Sequence, residues 1–341
     1  MKDLKSILNL LADGKTLTID QANAAFDLIM SGSIDTAQIA AFLMGMRMRG
    51  ETIEEITGGA MVLRSKADKI NAPEGSIDTC GTGGDGTGTY NISTTAAIVA
   101  AACGVSVAKH GNRSVSSKSG SSEVLEALGV NLEMPTQANE ACLIEHNIAF
   151  MFAPSHHRAM RHVGPVRASM GMRTIFNLLG PLANPAMTKR QVLGVFDKAW
   201  VRPMAEVLLQ LGSEHVWVVH GSDGLDELTI TGKSYVAELK DGEIKEFEID
   251  PFDYGLSTAK LADIQGGDAA VNAQAMHEVL NGTKNAYRDI VLLNAGAALV
   301  VADKAANLQE AITIAAKAID SGKAMNTLAG WVEFTQRYAK G

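Results

Sequence analysis

The sequence predicts an α/β protein with a small helical N-terminal domain and a larger α/β domain, whose mostly parallel central sheet is flanked by helices. Three observations predict this. Residues 1 to about 70 carry helical signals only. Beyond Pro73, short β-type runs alternate with helical stretches, the pattern of a parallel sheet with crossover helices. A chain of 341 residues also exceeds what one simple core organises, so a large domain with a smaller companion is expected.

In the first part, Thr18-x-x-Gln21, Asp35-x-x-Gln38 and Thr52-x-x-Glu55 each place a capping oxygen three residues ahead of a Glu or Gln, a helix start signal. Apolar residues recur at helical spacing, as in Leu4, Ile7, Leu8 and Leu11, and again in Ile39, Phe42, Leu43 and Met46. About four short helices packed as a bundle follow. The same region is not expected to act as a secretion signal, because Lys5 and Asn9 interrupt its apolar run.

The β-type runs lie at 77–80, 105–108, 148–153, 192–196 and 216–220, with helices expected at 94–103, 123–128 and 136–144. Lys240-Asp241-Gly242 separates two further runs, 234–239 and 244–249. Asp-Gly between alternating strands signals a hairpin. From about Ala269 the pattern is helical again.

Charge and cysteine content narrow the function. The net charge of −8 disfavours a general nucleic-acid binder. Cys80, Cys103 and Cys142 stand far apart without a CxxC pair, which suits a reducing cytoplasm and buried small hydrophobes. No apolar stretch is long enough to span a membrane, so a cytoplasmic location is expected.

Three segments carry chemistry. The first, DTCGTGGDGTGTYNIST, follows a strand and leads into a helix. Its glycines Gly81, Gly83, Gly84, Gly86 and Gly88 let the backbone approach a ligand, and free N–H groups before a helix N-terminus suit phosphate oxygens. Glycine loses the most chain entropy on folding, so a mere turn would be a costly use of so many. Gly81-x-Gly83-x-x-Gly86 formally matches a dinucleotide fingerprint. However, the helix does not begin at the third glycine, and residues 101–109 hold no acid for a ribose. Asp85 would repel a bare phosphate, so a metal or ribose hydroxyls are expected beside it.

The second segment, from His146 through Phe196, contains no Asp or Glu. It carries Arg158, Arg161, Arg167, Arg173, Lys189 and Arg190, with His156, His157 and His162. Just upstream, KHGNRSVSSKSGSS adds Lys109, His110, Arg113 and Lys118 among serines. Cations and hydroxyl donors together suit phosphate and carboxylate ligands. A solvated basic face is the bland alternative for any one of these cations. The histidines lack zinc-site spacing. In the third segment, HGSDGLDELTI, Asp223, Asp226 and Glu227 crowd a loop after a strand, where hard oxygen ligands suit Mg2+ bridging carboxylates and phosphates.

Together these segments resemble the anthranilate phosphoribosyltransferases of tryptophan biosynthesis. The resemblance rests on GTGGDG and NIST within 81–94, KHGNRSVSS at 109–117, FAPSHHRAMRHVGPVR at 152–167, RTIFNLLGPLANP at 173–185 and DGLDE at 223–227. It covers essentially the whole chain. Ser122-Glu123 and Arg158 depart from the family pattern without touching an assigned residue.

The resemblance implies a helical domain of residues 1–70 with part of about 166–185, an α/β domain of 71–165 and 186–341, and a cleft between them. It implies transfer of the phosphoribosyl group of phosphoribosyl pyrophosphate to the amine of anthranilate. Gly81, Gly84, Asp85, Thr89, Asn91, Ile92, Ser93 and Thr94 are expected to hold phosphoribosyl pyrophosphate. Lys109, His110, Gly111, Asn112, Arg113, Ser114, Val115, Ser116, Ser117 and Ser121 join them. Gly81, His110, Asn112, His157 and Arg167 are expected to meet anthranilate, Arg167 through its carboxylate. Ser93, Asp226 and Glu227 are expected to serve Mg2+. No covalent nucleophile is required, and His110 is the candidate for accepting the amine proton. A homodimer through the helical domain is implied, with no nucleic-acid or membrane partner. A pyrimidine nucleoside phosphorylase would share the architecture and the phosphate loop, but DGLDE and KHGNR favour the transferase. A non-catalytic nucleic-acid-binding relative is opposed by the acidity.

Overall fold

The structure is a computed structural model that describes residues 3–113 and 119–339. Four helices open it: α1 (Leu4–Ala12), α2 (Ile19–Met30), α3 (Thr36–Arg49) and α4 (Ile53–Lys66). Thr18 and Thr52 form complete capping boxes with Gln21 and Glu55, whereas Asp35 caps α3 through the Ala37 N–H alone. Glu55 also braces the bundle. Its buried carboxylate accepts from the N–H groups of Leu17 (2.8 Å) and Thr52 (2.9 Å) and from the Arg49 guanidinium (2.5 Å). A buried charge is tolerated when its oxygens are filled in this way.

The α/β part runs β1 (Ile77–Gly81), α5 (Ile92–Ala102), β2 (Val107–Gly111), α6 (Ser121–Ala127), α7 (Thr136–His146) and β3 (Ile148–Phe152). Three short helices follow, α8 (Ala153–His156), α9 (Gly164–Met170) and α10 (Ile175–Leu179). The chain then returns through β4 (Arg190–Gly194), α11 (Val201–Gln210) and β5 (His215–Gly221) to the hairpin β6 (Ser234–Lys240) and β7 (Glu243–Ile249). Helices α12 (Ala269–Leu280), α13 (Ala286–Val301), α14 (Leu308–Asp320) and α15 (Lys323–Gln336) complete it.

The seven strands lie in the order β3-β2-β1-β4-β5-β6-β7. The first five are parallel, and β6 and β7 are antiparallel. Asp241 and Gly242 take positive φ values of 53° and 80°, as a two-residue type I′ hairpin turn requires. Because the chain moves outward from β1 to β3 and then returns to place β4 on the other side of β1, the carboxyl ends of β1 and β4 form a topological switch point. Open α/β sheets bind their ligands there.

Two differences from the sequence reading bear on the site. Helix α5 starts at Ile92 rather than Thr94, so Ile92, Ser93 and Thr94 supply first-turn amides. Strand β2 is displaced to 107–111 because Gly104, at φ 83°, turns the chain before it and Val107 then registers with Ile148. Lys109 and His110 therefore lie in the strand and point to opposite faces.

Helices α9 and α10 return to the N-terminal bundle. Val163, Val166, Ile175, Phe176, Leu178 and Leu179 share its core with Phe26 and Phe42, and this core continues through α11 onto one face of β4–β6. Phe26 sits edge-on to both Phe42 (5.4 Å) and Phe176 (5.7 Å). The other large cluster packs α5, α7 and α12–α15 against the sheet.

Candidate active site

The glycine-rich loop leaves β1 at the switch point. Gly83 and Gly84 take φ values of 65° and 75°, closed to most side chains. Asp85 folds back on its own loop and accepts from the Thr87 N–H (3.2 Å) and hydroxyl (2.7 Å). The far half is moored to the segment before α12. Tyr90 N–H donates to the Ile264 carbonyl (3.0 Å), Gly266 N–H to the Gly88 carbonyl (2.9 Å), and Thr89 pairs with Gln265. Asn272 donates to Asn91 Oδ1 (2.9 Å), and Tyr90 stacks on Tyr287 at 4.4 Å. From the helical side, Arg173 donates to the Gly84 carbonyl and lies 4.4 Å from the Phe196 ring. That role as a loop clamp was not visible in the sequence.

Asp226 and Glu227 reach this loop from beyond β5. Gly81 and Gly194 face each other in the β1–β4 register. A Cβ on Gly81 would stand 2.3 Å from Asp226 Oδ2, and one on Gly194 only 1.5 Å from the Asp226 carbonyl oxygen. The acidic segment therefore lies directly across the ends of the two switch-point strands. Asp226 Oδ2 accepts the Gly83 N–H (2.7 Å) and Glu227 Oε1 the Ser93 N–H (3.1 Å). Fully buried Lys109 donates to the Thr79 carbonyl and stands 3.4 Å from Ser93 Oγ.

Burial pushes both carboxyl groups above their usual range. Asp85 adds to this at Asp226, Asp226 adds to it at Glu227, and Lys109 opposes it at both. Asp223, grouped with them in the sequence, serves the loop instead. It accepts from the hydroxyls of Thr229 and Thr231 (both 2.6 Å) and from the Leu225 N–H (3.2 Å). Among the described residues, no group of three or more His, Cys, Asp or Glu side chains could hold a metal ion.

On the opposite face of β2, the His110 ring lies 5.1 Å from that of His157. Both are buried, and among the described residues neither Nε2 has a partner. Burial, then neighbouring imidazoles, hold His110 well below the usual range, and burial takes His157 down to about 4. Backbone at Gly180 near the His110 ring and at Ala183 near the His157 ring favours the charged form of each and opposes part of the shift. Rings so depressed stay neutral and are inefficient proton acceptors near pH 7, which weakens the case for His110 as a base.

The folded His157 thus binds its proton less readily than the unfolded chain does. Its stabilising contribution is present above pH about 6.5 and is lost as the pH falls toward about 4. Denaturant unfolding should show up to about 3 kcal/mol of acid loss from this group, and His157→Gln should remove that slope. Equal slopes in variant and wild type would overturn the assignment.

The link from α10 to β4 is held carbonyl by carbonyl. Gln191 Nε2 donates to the Pro181 carbonyl (2.8 Å) and Arg64 Nε to the Leu182 carbonyl (2.6 Å). Asn184 Nδ2 donates to Asp78 Oδ2 (2.7 Å) and to the Ala108 carbonyl (2.8 Å), while Asp78 Oδ1 accepts the His110 N–H (3.1 Å). The sequence reading missed Asp78 and Asn184. An acid inside a short β-type run was the available signal.

The cations divide into two kinds. Arg158 pairs with Asp68 (2.9 Å), Lys189 with Glu214 (2.8 Å) and Arg190 with Asp303 (2.5 Å), so acids from elsewhere neutralise part of the acid-free stretch. Arg113 forks onto Glu126 (3.0 and 2.8 Å). Arg167, in the last turn of α9, is half-buried and stands 5.4 Å from the Phe176 ring. Among the described residues it makes no hydrogen bond or ion pair. A desolvated guanidinium without an anion is built to receive one.

Of the remaining expected residues, Gly111 ends β2 and Ser121 opens α6. Asn112 Oδ1 accepts the Arg113 N–H (2.8 Å). Ile92 and Thr94 are buried, so they face the loop through their amides. Ser114, Val115, Ser116 and Ser117 lie outside the described residues.

Comparison with known proteins places this geometry. Residues 5–67 match the glycosyl transferase family helical bundle domain, and residues 74–325 the glycosyl transferase family a/b domain. The anthranilate phosphoribosyltransferase of Parvibaculum lavamentivorans is 57% identical over 335 residues, covering 98% of each chain. That of Afipia carboxidovorans is 56% identical over 329 residues, covering 96% of this chain and 98% of the relative. The solved anthranilate phosphoribosyltransferase of Thermus thermophilus superposes with a TM-score of 0.91 at 41% identity, covering 96% of this chain and 99% of that one. The Saccharomyces cerevisiae enzyme, solved with phosphoribosyl pyrophosphate and Mg, gives 0.90 at 27% identity over 98% of both chains. With the likeness running through both the bundle and the sheet, the chain belongs to the anthranilate phosphoribosyltransferase family.

Proposed function

We propose that the chain transfers the phosphoribosyl group of phosphoribosyl pyrophosphate to the amine of anthranilate, releasing pyrophosphate and forming N-(5-phosphoribosyl)anthranilate in tryptophan biosynthesis. The observation that carries this is the half-buried Asp226–Glu227 pair facing the glycine loop across the switch point.

Mg2+ fits this place. Two half-buried carboxylates raised by desolvation and charge repulsion lie with the Ser93 hydroxyl beside them, and Lys109 is the cation opposing that repulsion. So few hard oxygen donors leave coordination positions for substrate phosphates. Asp226, Glu227 and Ser93 would hold the ion. When bound, it offsets charge growing on the departing pyrophosphate.

The chain's own groups do the rest. The Thr94 amide in the first turn of α5 offers a donor to the pyrophosphate and ribose end, and the α5 N-terminus favours negative charge there, while the Ile92 and Ser93 amides are given to the Tyr90 carbonyl and to Glu227. Lys109 adds fixed positive charge. Residues 109–117 and Ser121 are read as enclosing the phosphoribosyl part. Arg167 takes the anthranilate carboxylate. His110 and His157, neutral and side by side at 5.1 Å, are read as lining the same space. Ribose C1 becomes cation-like as its bond to pyrophosphate lengthens, so no protein nucleophile is needed. Holding the amine against C1 supplies much of the acceleration.

The helical domain is read as residues 1–70 with part of 166–185. Met44, Met48 and Met61 expose apolar surface on α3 and α4, Met48 to 79%, which suits a homodimer through this domain. The cytoplasm is the expected setting, since all three cysteines are free. No helix among the described residues is long and apolar enough to cross a membrane.

Anthranilate fluorescence should fall when the protein is mixed with phosphoribosyl pyrophosphate and Mg2+. A constant signal at high protein concentration would refute the function. Arg167→Ala should raise the anthranilate KM by roughly 10- to 100-fold and leave the phosphoribosyl pyrophosphate KM within about twofold. Initial-rate kinetics check this, and an unchanged anthranilate KM would remove Arg167 from the acceptor site.

A further inference from the structure

Helix α13 is apolar and buried along nearly its whole length, yet it carries an asparagine at its middle. Asn294 is 2% exposed. Its amide is fully engaged: Oδ1 accepts the Leu228 N–H (3.0 Å), while Nδ2 donates to the Leu228 carbonyl (2.8 Å) and the Ile290 carbonyl (2.9 Å). The side chain thus stands in for a neighbouring strand, gripping both polar groups of the residue immediately after Glu227.

The loop around it is already ordered from within. Asp223 collects Thr229, Thr231 and Leu225, Ser222 N–H donates to the Lys233 carbonyl (2.8 Å), and Thr229 N–H to Ser234 Oγ (2.8 Å). Those bonds shape the loop but do not fix how it sits over the strand ends. Two contacts do. On the sheet side, the bare Cα of Gly194 lets the Asp226 carbonyl rest against β4. On the helix side, Asn294 pins Leu228.

We infer that Asn294 is a positioning residue for the Asp226–Glu227 pair. Holding the N–H and carbonyl of Leu228 together sets the peptide plane that follows Glu227, and with it the direction in which the carboxylates leave the chain. Asn294 touches neither substrate nor carboxylate and acts through the backbone between them. The inference rests on the reading of Asp226 and Glu227 as metal ligands. Residues that orient ligands typically carry 10- to 100-fold in metal affinity.

The test is calorimetric titration of Mn2+ into the protein with saturating inorganic pyrophosphate, for wild type, Asn294→Leu, the milder Asn294→Ser, and the Asp226→Asn, Glu227→Gln double variant. Circular dichroism confirms folding. Both Asn294 variants should bind Mn2+ about tenfold more weakly, while their anthranilate KM stays within about twofold. If the double variant loses Mn2+ and folded Asn294 variants keep wild-type affinity, the positioning role is overturned and the ligand reading stands. If the double variant binds Mn2+ like wild type, the ligand reading itself falls, and this inference with it. Should only Asn294→Ser fold, its titration decides. Should neither fold, Asn294 is a folding element and the assignment is withdrawn.

Discussion

Changing Asp226 to Asn and Glu227 to Gln together should lower kcat/KM by about a hundredfold to a thousandfold and at the same time stabilise the metal-free protein. The two effects have one cause. Both carboxylates are half-buried, and desolvation together with repulsion from neighbouring carboxylates holds their carboxyl groups above the usual range. Amide side chains keep the acceptors used by the Gly83 and Ser93 N–H groups and remove the crowded like charges. Lys109 keeps the Thr79 carbonyl and the nearby Asp78 carboxylate. Replacing partly desolvated like charges by neutral groups of the same shape should add on the order of 1 kcal/mol. Urea unfolding in the presence of a chelator and initial rates measure the two halves. A double variant that is less stable than wild type would show that the pair serves mainly as counter-ions of Lys109.

Gly194→Ala should be the most damaging single change to folding, at more than about 3 kcal/mol. The added Cβ would meet the Asp226 backbone carbonyl at 1.5 Å, and no side-chain rotation relieves a clash with main chain. Gly81→Ala, across the same register, meets only the Asp226 carboxylate end, at 2.3 Å. That variant should fold and lose activity, since the carboxylate is the group displaced. Equilibrium unfolding of both proteins tests the contrast. A Gly194→Ala protein as stable as wild type would mean that Asp226 does not rest on β4.

Much of the scaffold was legible because its causes are local. Thr18 with Gln21 and Thr52 with Glu55 cap helices through bonds that span three residues. Asp241-Gly242 makes its hairpin because positive φ is needed there and these residues tolerate it. The glycine loop and the acid pair were visible for a similar reason: each follows a strand, where α/β sheets place ligands. The least legible part was the acid-free stretch. Its cations looked alike in the sequence, but Asp68, Glu214 and Asp303 approach Arg158, Lys189 and Arg190 from distant segments, and Arg167 has no such partner among the described residues. Asp223 misled in the opposite direction. It shares a motif with the site and spends its oxygens on its own loop.

By itself, then, the sequence determined the helical bundle, the alternating strands and helices, the phosphate-type loop and the acidic pair, since each depends on neighbours along the chain. Only the tertiary structure decided what seats that pair. Gly194 from β4, Gly81 from β1, Ser93 from α5 and Asn294 from α13 meet around Asp226 and Glu227 because the strand order sets β4 beside β1. It likewise joined Asp78 to Asn184. The physical reason is the same for both: these are close approaches and buried hydrogen bonds between groups far apart in sequence, and no local pattern records them.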